Sequence, residues 1–175
     1  MKNKTAGWTL VELLIVVTIM SIIMVGISTF FNRALYFVRL IQAKTDVQRD
    51  ARMILSKINR ELRQAKASSV VVDRLNSDMP PYSRIRFETI KGSTMCYYQD
   101  GTTLMFQESR GDFTFTPRKL TENLRYIAFA YQRTDNNKVI HISICLEKVP
   151  YLYVPGAKAL QVSVEEVRIM NEWKN

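Results

Sequence analysis

The sequence predicts an α+β protein. One long N-terminal helix, with a membrane half and an amphipathic half, packs on an antiparallel β-sheet domain. Three observations predict this fold class: an uncharged apolar run near the N-terminus, a one-sided apolar stripe that follows it without a proline, and a change from helical to alternating apolar period at Ser68. The segments that follow from them are a short basic leader at 1–7, an apolar helical half at 8–32, an amphipathic half of the same helix at 33–67 and a β-rich domain at 68–175.

The apolar half is long enough to cross a membrane. Residues 13–32 carry no charged side chain, and at 1.5 Å per residue they form about 30 Å of helix, the thickness of a bilayer core. A secretory signal peptide would have a shorter apolar region that ends in small residues at a cleavage site. After Phe31 the chain continues with NRALYFVRLI, which offers no such site. We therefore expect a retained anchor, and not a removed signal or a buried core helix.

The amphipathic half carries apolar side chains on one side. We expect this stripe to be the face on which the chain's own domain packs, and a coiled coil with a partner helix is the alternative. The helix is predicted to continue to residue 67, because no proline interrupts it. The stripe consists of Leu40, Val47, Ala51, Ile54, Ile58, Leu62 and Ala65.

Strands and turns alternate from Ser68 onward. ASSVVVDRL is β-branched, NSDMPPYS is a loop, and SRIRFETI alternates apolar and polar residues. TMCYYQDGTTLMFQES predicts a hairpin, because Asp-Gly is a favoured two-residue turn between apolar runs.

A second hairpin is predicted around the polar turn RTDNNK, and YLYVPGAK is a loop before a last alternating strand. The returning strand of that hairpin places Ile140, Ile142, Ile144 and Leu146 on one face, and the last strand runs through Leu160, Val162 and Val164.

Charge and composition favour some function classes over others. The net charge of +9 favours solubility and anionic lipid over nucleic acid, because the sequence has no nucleic-acid motif.

Two cysteines and one histidine cannot build a zinc site, and no loop has the ligand spacing of a calcium site. Cys145 and His141 are four residues apart on one strand, about 13 Å, too far for a catalytic hydrogen bond. We expect no enzyme activity, no cofactor, no metal and no nucleic-acid partner, and a surface position for His141.

The pairing of Cys96 and Cys145 stays open at this point. In an oxidising space a bridge between them would close a loop of about 50 residues and contribute roughly 4 kcal/mol to stability. Cys145, however, alternates with the apolar Ile142 and Ile144 face. A disulfide, two free buried thiols and a reactive thiol are the alternatives.

Glu12 is an ionisable side chain at the start of the apolar run. A carboxylate near the bilayer core costs a few kcal/mol and by default indicates a function with a cationic partner. Lys4 could reach towards it along the surface. Alternatively, cleavage between Gly7 and Trp8 would create a free α-amino group at the start of the helix, and another molecule could bring that amine to Glu12.

The N-terminal sequence resembles the type IV prepilin signature. A basic leader that ends in glycine, MKNKTAG, precedes WTLVELLIVVTIMSII, and type IV pilins and the pseudopilins of type II secretion systems share this arrangement. The resemblance implies cleavage after Gly7 by the prepilin peptidase, N-methylation of the new first residue Trp8, and an assembly contact from Glu12 to the N-terminal amine of a neighbouring subunit. Trp8 departs from the phenylalanine or methionine usual in the family, which bears on the methylation.

A second resemblance narrows the subgroup. DVQRDARMILSKINRELRQA, residues 46–65, and the closing VRIMN resemble minor pilins and J-type minor pseudopilins, whereas Glu12 argues against the K-type tip pseudopilin. The resemblance implies a minor structural subunit of a type IV pilus or a type II secretion pseudopilus. The alternative is a DNA-binding minor pilin of a DNA-uptake machine.

The implied partners are the prepilin peptidase, other pilins or pseudopilins and the inner-membrane assembly platform. The implied location is the inner membrane, crossed once with the N-terminus in the cytoplasm and the C-terminal domain outside, and then the pilus or pseudopilus. Charge counting does not fix this orientation, because Lys2 and Lys4 precede the helix while Arg33, Arg39 and Lys44 follow it.

Overall fold

The computed structural model describes residues 9–133, 136–150 and 158–170, and the side chains of 133, 136 and 137 lie outside that description. The fold is α+β, as predicted: one long helix followed by antiparallel strands. The chain divides into two compact units, Met1–Ile41 and Gln42–Asn175.

Helix α1 (Leu10–Leu62) begins in the first unit and ends in the second. In the first unit its apolar side chains are exposed, Met24 and Phe30 to more than 70 %, and this part of the helix is long and apolar enough to cross a membrane. Hydroxyl groups on it are satisfied within the helix: Thr18 Oγ1 and Ser21 Oγ each donate to the carbonyl four residues earlier, at 2.8 Å. Such bonds remove the cost of a free hydroxyl in an apolar solvent.

The helix ends five residues before the predicted end at 67. Ala65 forms a β-bridge with Thr89, and the backbone N–H of Lys66 donates to the carbonyl of Glu88 at 2.8 Å. Pairing with a strand thus replaces the last helical turn, although the apolar spacing still places Ala65 on the stripe. A one-turn 3₁₀ helix (Ala67–Ser69) then leads into the first strand.

Six strands form the first sheet, in the order β1-β2-β3-β4-β5, with β6 also paired to β4. The Asp-Gly hairpin is confirmed: Asp100 pairs with Thr103, and Gly101 takes the positive φ of 58° that the turn requires. The short strands β5 and β6 were not predicted. The strands are β1 (Val71–Asp73), β2 (Arg84–Glu88), β3 (Ser93–Asp100), β4 (Thr103–Arg110), β5 (Phe113–Thr114) and β6 (Arg118–Thr121).

Three longer strands form the second sheet, in the order β7 (Leu124–Arg133), β8 (Asn136–Lys148) and β9 (Ala159–Arg168). The predicted second hairpin is confirmed by its strands, although the middle of its turn, Thr134 and Asp135, lies outside the described residues. The predicted loop YLYVPGAK lies mostly outside them too.

Buried Gln99 connects the two sheets. Its side chain is 4 % exposed; its Oε1 accepts the backbone N–H of Ile127 at 3.2 Å, and its Nε2 donates to the carbonyl of Gly101 at 2.8 Å. A buried amide with these partners fixes the start of β7 against the end of β3.

The core lies between the second half of α1 and both sheets. The predicted helix stripe is buried from Val47 onward, which confirms that it faces the chain's own domain, while Leu40 is only half-buried. The face predicted for β8 is buried as well. The largest fully buried side chains include Tyr97, Phe87, Phe129, Ile58, Leu62, Ile85, Ile142 and Ile144.

Candidate functional site

Glu12 is a capping residue of its own helix. Thr9 stands immediately before α1, and Glu12 is the third helical residue. Glu12 Oε2 accepts the backbone N–H of Thr9 at 3.0 Å and its hydroxyl at 3.1 Å, and the backbone N–H of Glu12 approaches Thr9 Oγ1 at 3.3 Å. This is a capping box, in which two backbone donors at a helix start are satisfied reciprocally.

The capping box adds a local role to the carboxylate at this position. The T-x-x-E spacing of Thr9 and Glu12 was visible in the sequence, yet the role of Thr9 was missed. The predicted cleavage residues Gly7 and Trp8 lie outside the described residues, so the predicted contact between Glu12 and a neighbour's amine stays a prediction.

In the second unit, polar side chains on α1 attach the helix to the first sheet. Tyr97 is fully buried in β3, and its hydroxyl donates a hydrogen bond to Glu61. Lys57 Nζ lies 3.6 Å from the centroid of the Phe106 ring, a cation–π contact. Burial lowers the pKa of Lys57, as expected for an ammonium group removed from water.

Two further polar contacts attach α1 to the second sheet. The side-chain amide of Asn59 donates to Glu165 on β9, and Lys148 at the end of β8 forms an ion pair of 2.7 Å with Asp46. Together with the buried stripe, these polar contacts attach α1 to both sheets.

An arginine row lies on the exposed side of the same helix segment. Arg52, Ser56 and Arg60 are all exposed and follow one another at intervals of four residues, so their side chains lie on one face. We call this set the arginine ridge. A depression of about 550 Å³ lies on one side of it, with Leu55, Asn59, Arg63 and Glu165 in its walls. A second, of about 340 Å³, lies on the other side, against Met53 and Lys57.

Both cysteines are free thiols, so the bridge that the sequence left open is not formed in this structure. Cys96 lies in β3 of the first sheet and Cys145 in β8 of the second. Burial raises the pKa of both thiols, which disfavours the nucleophilic thiolate.

His141 is half-buried on β8, opposite Ala130 and Glu166. The described residues contain no group of three or more His, Cys, Asp or Glu side chains placed to hold a metal ion.

Exposed apolar side chains lie on the outer face of the second sheet. The alternating sequence pattern alone does not show whether such side chains are exposed or buried. The alternation of β9 is confirmed, but Leu160, Val162 and Val164 point outward and are 46 %, 49 % and 65 % exposed. In the register of the sheet Val162 lies beside Cys145, which in turn lies beside Tyr126.

Comparison with known proteins gives one match. Residues 2–28 match the family model described as the prokaryotic N-terminal methylation motif. No curated protein and no solved structure matches the chain. The matched residues include Gly7, Trp8, the capping box and most of the apolar half of α1.

Proposed function

We propose that this chain, which is a type IV prepilin-like protein, serves as a minor structural subunit of a type IV pilus or a type II secretion pseudopilus. The observation that carries the proposal is the N-terminal methylation motif at residues 2–28, placed on an apolar helix that can cross a membrane. The motif implies processing by the prepilin peptidase and assembly with other pilins.

In this proposal the apolar half of α1 anchors the subunit in the inner membrane, with its N-terminus in the cytoplasm. The peptidase cuts after Gly7 and methylates Trp8. The assembly platform then transfers the subunit into the filament, where the apolar half packs against helices of other subunits. Apolar side chains that are exposed to water in an isolated chain, such as Met24 and Phe30, are covered by lipid before assembly and by helices after it.

Glu12 would set the depth at which an incoming subunit stops. An unpaired charge in a medium of low dielectric constant is penalised far more than a paired one. A subunit whose α-amino group at Trp8 reaches a neighbour's Glu12 is therefore favoured over one at the wrong axial position. The capping box holds the Glu12 side chain at the start of the helix, where such an amine would arrive.

The β-rich domain lies outside the cytoplasm and, in the filament, presents its surface to neighbours. It acts through contacts and not through catalysis. A structural role of this kind requires a stable domain that is attached firmly to its helix. The hydrogen bond from Tyr97 to the helix and the contact of Lys57 with the sheet provide such an attachment.

The test compares Glu12→Leu with the wild type in the native host. Both chains should start at Trp8 after processing, as measured by intact mass, but we expect Glu12→Leu to be recovered in sheared filaments at less than a fifth of the wild-type level. A native chain that keeps residues 1–7 in the presence of active peptidase would overturn the assignment.

Thr9→Val is the matched control for the capping box. It removes the hydroxyl that bonds to Glu12 Oε2 and keeps the carboxylate. If assembly needs the charge, Thr9→Val should assemble at close to the wild-type level. Equal losses in both variants would show that Glu12 acts only by capping its own helix.

The alternative function is that of a DNA-binding minor pilin in a DNA-uptake machine, and the exposed guanidinium groups of the arginine ridge are the feature that supports it. Binding to DNA should then weaken steeply with salt, because each neutralised phosphate releases counterions. Affinity for a DNA duplex, measured with the detergent-solubilised chain between 50 and 200 mM salt, tests this alternative.

A further inference from the structure

We propose that the arginine ridge, with the two depressions beside it, is the docking surface for an acidic segment of another subunit of the same filament. This inference rests on the proposed function and names the kind of partner that the domain half of α1 takes. The partner segment carries carboxylates spaced to meet Arg52 and Arg60 and apolar side chains that enter the depressions.

The ridge has the dimensions of a binding surface for a short segment. Arg52 and Arg60 are eight residues apart, which corresponds to about 12 Å along the helix. Arg49 and Arg63 extend the row by one turn at each end, and the small Ser56 leaves room between the guanidinium groups. Two carboxylates about two helical turns apart on a partner would face both arginines together.

The charges of the ridge are not neutralised by the domain itself. Among the described residues, the side chains of Arg52 and Arg60 form no ion pair or hydrogen bond. The nearby carboxylates have other partners: Asp46 pairs with Lys148, Glu61 accepts from Tyr97, and Glu165 accepts from Asn59. The surface therefore offers unpaired guanidinium groups, whose planar geometry suits bidentate binding of carboxylates.

The walls of the depressions favour a protein segment over nucleic acid. The half-exposed Met53 provides apolar surface, which a peptide covers and a phosphate backbone does not. Sequence-tolerant binding of single strands uses aromatic side chains for base stacking, and none of the described residues that line these depressions is aromatic.

The first experiment compares two charge reversals in the full-length chain. Arg52→Glu/Arg60→Glu changes the ridge, and Arg74→Glu/Lys91→Glu makes the same change of charge on loops of the first sheet. Both double variants should be cut after Gly7 and have the wild-type thermal midpoint, because all four side chains are exposed. We expect the ridge variant to fall at least fivefold in filament recovery and the loop variant to stay within twofold.

Filament recovery of these variants separates the docking surface from the proposed function. Normal recovery of the ridge variant, with poor recovery of Glu12→Leu, would overturn the docking surface and leave the proposed function intact. Equal losses in the ridge and loop variants would also overturn the docking surface, since only net charge would then matter. If the wild-type chain is absent from filaments, the proposed function itself is contradicted.

A second experiment identifies what lies on the ridge. A photo-reactive amino acid replaces Ser56 in the full-length chain, and cross-linked peptides from assembled filaments are identified by mass spectrometry. We expect a segment of another filament subunit with at least two Asp or Glu residues within about two helical turns, and we expect the cross-link to be lost with Arg52→Glu/Arg60→Glu. Cross-links only to the chain's own residues, to a segment without acidic residues, or to DNA would overturn the proposal.

Discussion

At the residue scale, Tyr97 joins the helix to the sheet through a single buried hydroxyl group. Burial and the adjacent Glu61 raise the pKa of Tyr97 far above its ordinary value, so the phenol stays protonated and donates at any pH at which the protein folds. Tyr97→Phe removes the donor to Glu61 and should cost about 1.5 to 3 kcal/mol of stability, the range for a hydrogen bond to a charged group.

The measurement is thermal unfolding of the detergent-solubilised chain, followed by near-ultraviolet circular dichroism. Tyr98→Phe is the control: Tyr98 is the next residue of β3, is half-buried, and points to the other side of the strand. We expect its effect to stay below about 0.5 kcal/mol. Similar losses in both variants would contradict a special role for the Tyr97 hydroxyl.

At the element scale, the buried stripe of α1 makes the helix part of the domain. Ile58 is fully buried, and Ile58→Asp places a carboxylate in the core, where no cation can reach it without opening the structure. We expect this variant to lose its cooperative thermal transition. Met53→Asp, on the exposed side of the same helix, should keep the transition within a few degrees of the wild type. If both variants unfold alike, helix propensity and not burial would be the cause.

Sequence patterns predicted which residues share a face of a helix or strand. They predicted less well what each face packs against. The stripe, the buried face of β8 and both hairpins follow from local spacing, because period and turn chemistry are local properties. In β9 the alternation was correct, but it does not say which face is inward. The polar Glu165 points to the helix because Asn59 bonds to it, and Val162 and Val164 face outward.

At the candidate site, one feature was missed although it is local, and another depends on tertiary contacts. Glu12 was identified because a charged residue at the start of an apolar run is conspicuous. Its partner Thr9 was missed, although both residues belong to one local motif. The spacing of the arginine ridge places its side chains on one exposed side of the helix, but the sequence alone does not show that Arg52 and Arg60 are unpaired. Asp46, Glu61 and Glu165 were all available to pair with its arginines, and only the tertiary contacts show that they pair elsewhere.

At the scale of the whole molecule, ion pairs make the stability of the domain depend on pH in the acid range. The Arg84 guanidinium holds the pKa of Asp73 below its ordinary value, Lys148 does the same for Asp46, and Lys158 for Glu147. Because the folded-state pKa values are lowered, the unfolded state binds protons first as pH falls. The stability that these groups contribute is present above about pH 5 and is lost progressively below about pH 4.

Asp73 offers the sharpest test of this dependence, because it accepts from two arginines of β2: its carboxylate lies 2.5 Å from Arg84 Nε and 3.2 Å from Arg86 Nη2. Asp73→Asn should be less stable than the wild type at pH 7, and the difference should shrink as pH falls, since protonation removes the same charge from the wild type. Thermal midpoints of both chains between pH 3 and pH 7 measure this convergence. Asp112→Asn, at an exposed position, is the control and should run parallel to the wild type. A constant difference between Asp73→Asn and the wild type down to pH 3 would show that the pair contributes through shape and hydrogen bonding and not through its charge.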